Sequence, residues 1–251
     1  MKVLITGASS GIGRDISREF AKKGYEIILI ARNIEKLSSL KNELENEFKV
    51  NVSYDSVDLT SRENCINLYN KYKDIDILIN NAGLGDFGKF DKTELNKDLT
   101  IIDTNITSVH ILTKLYLKDM KEKNKGRILN VASIAGFLPG PLMATYYASK
   151  NYIVKLSEAI RQELKKDKSD VQISILCPGP VRTNFNNVAN VKFELSSLTS
   201  EYVAKYAVDN FLKKKFYIVP GIQIKFIRLF HRFLPNSILS EFIYHTQKRK
   251  G

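Results

Sequence analysis

The chain has 251 residues, 43% hydrophobic and 26% charged, enough for one large α/β domain or two small ones around a sizeable core. Its formal charge of +12 would suit nucleic acid, an anionic membrane or a phosphorylated cofactor; lysines run through nearly every polar stretch without a nucleic-acid motif, which argues against nucleic acid. Cys65 and Cys177 stand far apart without metal-ligand spacing, so both read as reduced and structural, and no metal is expected.

The first apolar run, Lys2 to Thr6, is too short for the core of a signal peptide, and no run reaches the roughly twenty residues that span a bilayer, so a cytoplasmic protein is expected. The run reads as a strand that enters Gly7-Ala8-Ser9-Ser10-Gly11-Ile12-Gly13 and then a helical pattern through Ile16, Phe20 and Ala21. Strand, glycine turn and helix make a phosphate-binding arrangement. Glycines let the backbone approach a pyrophosphate, and the free N–H groups of the helix face the anion. The spacing Gly-x-x-x-Gly-x-Gly differs from the commoner dinucleotide fingerprint.

Gly24 closes this helix, and Glu26 to Ala31 forms a second strand followed at once by Arg32-Asn33. An acid at this position would bond the adenosine 2′-hydroxyl of NAD, whereas a cation accommodates the 2′-phosphate of NADP. Arg32 therefore points to NADP(H). Helix-patterned residues from Ile34 to Phe48 lead to a strand from Val50 to Val57, closed by Asp58-Leu59-Thr60, where Asp58 also suits a cap on the next helix. After that helix, Ile75 to Ile79 is a fourth strand ending in Asn80-Asn81-Ala82-Gly83, whose amides can tie neighbouring strands together. A long helix is expected from Leu95 towards Met120, with Asn105 inside it as a surface residue or a kink lining the site.

Arg127 to Ala132 reads as a buried parallel strand that delivers Ser133 into a crevice at its carboxyl end. Ala135 to Thr145, rich in glycine and proline, reads as a loop roofing that crevice. The helix that follows carries Tyr146 and Lys150, four apart and so on one face. Taken alone, such a pair is better explained by a half-buried aromatic and a solvated cation. An ammonium held beside the phenol would instead lower its pKa from about 10 and let it trade protons near neutrality. A sixth strand, Val171 to Cys177, runs into Pro178-Gly179-Pro180-Val181-Arg182-Thr183; Asn184 to Ser197 is a lid candidate, and a helix and short strand end the pattern near Val219. The expected fold is one doubly wound parallel sheet, Rossmann-like, with helices on both faces, over residues 1–220.

Thr6-Gly7-Ala8-Ser9-Ser10-Gly11-Ile12-Gly13, Asp58, Asn80-Asn81-Ala82-Gly83, Asn105, Ser133, Tyr146-x-x-x-Lys150 and Pro178-Gly179, in this order, resemble the short-chain dehydrogenase/reductase family over about residues 2–220. The resemblance implies that Tyr146 is the general acid-base and Ser133 orients the substrate carbonyl. It implies that Lys150 holds the nicotinamide ribose and lowers the tyrosine pKa, and that Asn105 positions a proton-relay water. The cofactor, NADP(H), is expected against Gly7, Ser9, Ser10, Gly11, Ile12, Gly13, Arg32, Asp58, Leu59, Asn81, Ala82, Gly83, Tyr146, Lys150, Pro178, Gly179, Val181 and Thr183. The expected reaction is reduction of a ketone or aldehyde, and Phe87, Phe137, Leu138, Met143 and Phe185 in the loops suggest an apolar one. A catalytically idle nucleotide-binding scaffold is the alternative, against which the intact Ser133, Tyr146 and Lys150 count.

Residues 221–251 mix Ile224, Phe226, Ile227, Leu229, Phe230, Phe233 and Leu234 with Lys225, Arg228, His231 and Arg232, and end in Lys248-Arg249-Lys250. This is a basic amphipathic extension. It suits the substrate pocket, a partner subunit in a homo-oligomer, or an anionic membrane surface on which lipid-linked ketones are reduced.

Overall fold

A computed structural model of the chain describes residues 1–183, 185, 197–230 and 233–248. Most of the expected lid, and His231, Arg232, Arg249 and Lys250, lie outside the described residues. The chain alternates strand and helix from its start: β1 (Lys2–Thr6), α1 (Gly11–Ala21), β2 (Glu26–Ala31), α2 (Ile34–Phe48), β3 (Val52–Ser56), α3 (Arg62–Lys71) and β4 (Ile77–Asn80). It continues through α4 (Leu95–Ile102), a π-helical turn (Asp103–Thr107), α5 (Ser108–Glu122), β5 (Arg127–Val131), α6 (Ala144–Lys166) and β6 (Gln172–Leu176). The two-residue strands β7 (Val181–Arg182) and β8 (Leu198–Thr199) pair with each other before α7 (Ser200–Leu212), β9 (Tyr217–Ile218), α8 (Ile222–Phe230) and α9 (Asn236–Lys248).

Seven strands form one parallel sheet in the order β3-β2-β1-β4-β5-β6-β9. Its strands are near-continuous runs of Val, Ile and Leu because both faces are covered. Side chains alternate between the faces. Val3, Ile5, Ile27 and Leu29 meet Ile16 and Phe20 of α1, Leu37 and Leu44 of α2, and Phe211 of α7. Leu4, Ile28 and Ile30 turn the other way, into the layer of Leu68 from α3, Leu112 and Tyr116 from α5, and Ile153 from α6. Each such apolar side chain, fully buried, contributes roughly 1.5–3 kcal/mol. The Rossmann-like α/β architecture expected from the sequence is the one observed.

The helix expected from Leu95 to Met120 is divided. α4 and α5 are separated by the π-helical turn, which holds Asn105 with no exposed surface, so this residue is a kink and not a surface position. Asp58 does not cap α3. Ser61 does, accepting from Asn64 N at 3.2 Å, while Asp58 Oδ1 accepts from Thr60 N and Thr60 Oγ1. The glycine- and proline-rich loop after β5 begins with a 3₁₀ turn, Ile134–Phe137. Among the described residues no helix is long and apolar enough to cross a membrane.

Candidate active site

The strand order reverses between β1 and β4, where neighbouring connections leave in opposite directions and a crevice opens at the carboxyl ends. Thr6 and Asn81 stitch this point. Thr6 Oγ1 accepts from Asn81 N and Ala82 N at 3.0 and 3.1 Å, and Asn81 Nδ2 donates to Thr6 O and Gly7 O at 3.0 and 3.1 Å. Asn80 ties β4 to β5 by donating to Asn130 Oδ1 at 2.9 Å. A cleft of about 1860 Å³ runs from here across the sheet.

At one end the cleft floor is backbone. Gly7 has φ +65° and Gly11 φ +54°, left-handed conformations that favour glycine. A Cβ on Gly7 would stand 2.8 Å from Ala82 Cα, and one on Gly13 only 2.3 Å from Gly7 O. Gly13 therefore serves the close packing of the turn and, unlike Gly7, Ser9, Ser10, Gly11 and Ile12, does not line the cleft. Ser10, at the N-cap of α1, makes no side-chain cap bond, and the first turn of the helix carries no acid. Its N–H end is thus available to an anion. Arg32, Asp58, Leu59, Ala82 and Gly83 line the same end. Lys36 joins them, a second cation on the first turn of α2 that sequence reading missed, although Asn33, whose side chain accepts from Lys36 N at 2.8 Å, marked that turn as a helix start. A glycine cradle at a helix N-terminus, with two cations beyond the neighbouring strand, fits a phosphorylated dinucleotide.

Midway along the cleft, Gly83 lets three elements converge. A Cβ there would come within 3.2 Å of Lys150 Nζ and 3.3 Å of Asn105 Oδ1. Asn105 does not line the cleft. Its Nδ2 donates to Leu84 O and Ser149 Oγ, both at 2.9 Å, and its Oδ1 accepts from Leu84 N at 2.8 Å, so it braces the wall from behind. Ser149 in turn donates to Tyr146 O at 2.7 Å. Ser133, buried at the end of β5, accepts from Ala135 N at 3.2 Å and donates at a long 3.5 Å to Pro178 O.

The Tyr146 phenol is pushed above its usual pKa by burial, and its hydrogen bond with Ser133 pulls it partly back. This departs from the lowered value that the resemblance implies. The physical reason is where the lysine points: Lys150 Nζ donates to Val131 O at 3.0 Å and stands 5.8 Å from the Tyr146 ring centre. Burial also pushes Lys150 itself down, to about 8. The arrangement holds a protonated phenol beside a serine hydroxyl.

Beyond Tyr146 the cleft is walled by side chains. Met143 packs with Phe87, Tyr146, Tyr147 and Phe185, and Leu138 lines the cleft. Phe137, expected here, turns away to Tyr217 and Arg228. Pro178, Gly179, Val181 and Thr183 close the cleft from the segment after β6. A Cβ on Gly179 would come within 2.5 Å of Ile224 Cδ1, because α8 lies directly on that segment. The C-terminal extension is thus part of the cleft wall, with Ile224, Phe226, Ile227, Leu239, Ile243 and Gln247 among the lining residues. Gln247 was not foreseen. Among the described residues no group of three or more His, Cys, Asp or Glu could hold a metal ion.

A doubly wound sheet with a glycine-floored cleft at its switch point is the architecture of dinucleotide-binding proteins, and comparison with known proteins gives the family. The family model described as short chain dehydrogenase matches residues 1–192, and the chain belongs to that family. The very-long-chain 3-oxoacyl-CoA reductase of Kluyveromyces lactis is 36% identical over 181 residues, 68% of this chain but 52% of that protein. The 3-oxoacyl-[acyl-carrier-protein] reductase FabG of Rickettsia prowazekii is 33% identical over 189 residues, 75% of this chain and 76% of that one. The chain thus spans about half the length of the first relative. A short-chain dehydrogenase from Sphingobium yanoikuyae, solved in complex with NADPH, superposes with a TM-score of 0.83 at 28% identity, over 88% of each chain.

Proposed function

We propose that the protein is an NADPH-dependent reductase that turns an apolar ketone or aldehyde into an alcohol. The observation that carries this reading is the convergence of Ser133, Tyr146 and Lys150 in a single cleft that runs on to the glycine cradle and to Arg32 and Lys36. Gly7, Ser9, Ser10, Gly11 and Ile12 would hold the pyrophosphate, Arg32 and Lys36 the 2′-phosphate, and Ala82 and Gly83 the adenosine and ribose side. When bound, NADPH supplies the hydride taken up by the carbonyl carbon. Tyr146 delivers its proton to the carbonyl oxygen as charge develops there, and the Ser133 hydroxyl donates to the same oxygen. Lys150, buried, held on Val131 O and 5.8 Å from the Tyr146 ring centre, would present its charge to the ribose. Asn105 keeps Leu84 and Ser149 in place behind them. The names of the reductase relatives accord with the reducing direction.

Titration of NADPH and NADH by fluorescence, alongside Arg32→Asp, tests the cofactor. Tight NADPH binding that the variant loses supports the reading; failure of both nucleotides to bind would return the scaffold alternative to the front.

A second reading, reduction of a lipid-linked ketone at a membrane surface, is favoured by the extension. Ile222 and Phe242 are 72 and 69% exposed on helices that also line the cleft, and Phe233, between those helices, is 71% exposed. Anionic liposomes that sediment the protein, and lose that ability when residues 221–251 are removed, support it; a stable dimer without liposome binding assigns the face to a second copy.

A further inference from the structure

Beside Tyr146 stands a second phenol that the reaction above does not use. The Tyr147 ring lies edge-on to that of Tyr146, centroids 6.0 Å apart. It fills the space in front of Gly140, where a Cβ would come within 2.0 Å of Tyr147 Cγ. Any larger residue at 140 would displace the ring. The Tyr147 hydroxyl reaches the last turn of α9, where Gln247 Nε2 donates to it. With its oxygen accepting from the amide, the phenol has its own proton to give into the cleft, which both residues line. Burial pushes Tyr147 up to about 12, so that proton is present at neutral pH.

Gln247 is 2% exposed, and its Oε1 is a buried oxygen without a hydrogen-bond partner. The other such atom among the described residues, Asn80 Oδ1, belongs to the amide that ties β4 to β5. Gln247 lines the cleft, together with the apolar Met143, Ile224, Leu239 and Ile243 and the polar His245 and Thr246. Leaving a carbonyl oxygen unpaired in such a place forfeits its hydration without return. A ligand that brings a donor removes that cost.

On the carbonyl-reductase reading above, we propose that Tyr147 and Gln247 form a second polar anchor in the substrate end of the cleft. It takes a ketone that carries a primary amide or hydroxyl group near the reacting carbonyl. The Tyr147 O–H donates to the oxygen of that group, and Gln247 Oε1 accepts its N–H or O–H. An ester or a plain alkyl chain satisfies at most half of the pair. The apolar remainder of the ligand lies along α8 and α9.

Two probes of equal chain length test this in the purified full chain with NADPH: a straight-chain 3-oxoalkanamide with a free NH2 and the matching ketone without the amide. Gln247→Leu and Tyr147→Phe should each lower the ratio of kcat/KM for the oxoamide over that for the ketone by about tenfold or more, carried by the KM of the oxoamide. A ratio that neither variant moves, or a parallel fall for both probes, overturns the anchor. Oxoamide binding to NADPH-loaded Tyr146→Phe protein, read as a change in nucleotide fluorescence, separates the two levels. If the wild type reduces neither probe, the reductase reading fails. The anchor still stands if adding Gln247→Leu weakens oxoamide binding about tenfold, and falls if binding is unchanged.

Discussion

The two ends of the cleft are built from different material. At the nucleotide end the wall is main chain, and its shape depends on atoms that are missing: side chains excluded at Gly7 and Gly13 by Ala82 Cα and Gly7 O. At the substrate end the wall is large side chains drawn from separate segments, such as Leu138, Met143, Phe185 and Ile224. A backbone wall tolerates almost no substitution and recognises a constant group. An apolar side-chain wall can be repacked one residue at a time, and it sets which molecule is accepted.

The sharpest break in that contrast is at the junction. Tyr146→Phe should lower kcat by about a hundredfold to ten-thousandfold while NADPH affinity stays within about twofold, because only proton delivery is removed. An active variant would remove Tyr146 from its role. Next in size, Gly13→Ala should cost about 1–3 kcal/mol of stability by forcing a methyl group against Gly7 O. A scanning calorimeter would read this as a fall of several degrees in Tm, with weakened NADPH binding. The matching change at the other end, Ile224→Ala, should leave NADPH binding alone and alter KM across a ketone series. If nucleotide affinity fell equally for both variants, the division of the cleft would be wrong.

A smaller effect separates the buried lysine from the rest. The folded-state pKa of Lys150, about 8, lies below its unfolded value of about 10.4. The native state therefore resists its protonation: the penalty is complete below pH 8 and disappears as pH rises towards 10.4. Against Lys150→Met, the wild type should gain relative Tm across that window. A difference independent of pH would place the ammonium in a solvated position. Least of all, Arg228→Met should lower stability by about 0.5–1 kcal/mol, because the guanidinium carbon stands 3.5 Å from the Tyr217 ring centre and helps to seat α8. Limited proteolysis within 221–248 would report the loosening first.

The nucleotide end was legible because excluded side chains leave a mark in sequence: glycines at fixed spacing between an apolar run and a helix. Ser133, Tyr146 and Lys150 were legible for a related reason, since one strand end and one helical turn suffice to bring them together. The division of the Leu95–Met120 stretch was not, because a π turn adds one residue without altering composition or apolar period enough to be seen. Phe137 was misplaced since an aromatic in a loop carries no sign of which neighbour it will meet. Gln247 sits in Thr246-Gln247-Lys248, a run that looks like any solvated helix end. Only the packing of α9 over the cleft turns its amide inward. The extension also reverses the usual expectation for a basic amphipathic helix. On α8 the cations Lys225 and Arg228 lie over Tyr206 and Tyr217 of the body, while Ile222, Phe226, Leu229 and Phe230 stay exposed.

The π turn at Asp103–Thr107 also acts as a phase setting for the helix that follows. One residue of α-helix corresponds to about 100° of rotation. Because the wide turn absorbs one extra residue, deleting one there would let it relax to an α-helix with α5 close to its present phase, whereas a further residue that the turn could not absorb would swing α5 about its own axis by that amount. Val109, Leu112, Tyr116 and Met120 would then leave the sheet, although every one of them remained in the chain. The register of a whole core helix is thus tied to the irregular turn that carries Asn105, so an insertion harmless in a surface loop would here uncouple the cleft wall and the hydrophobic layer together.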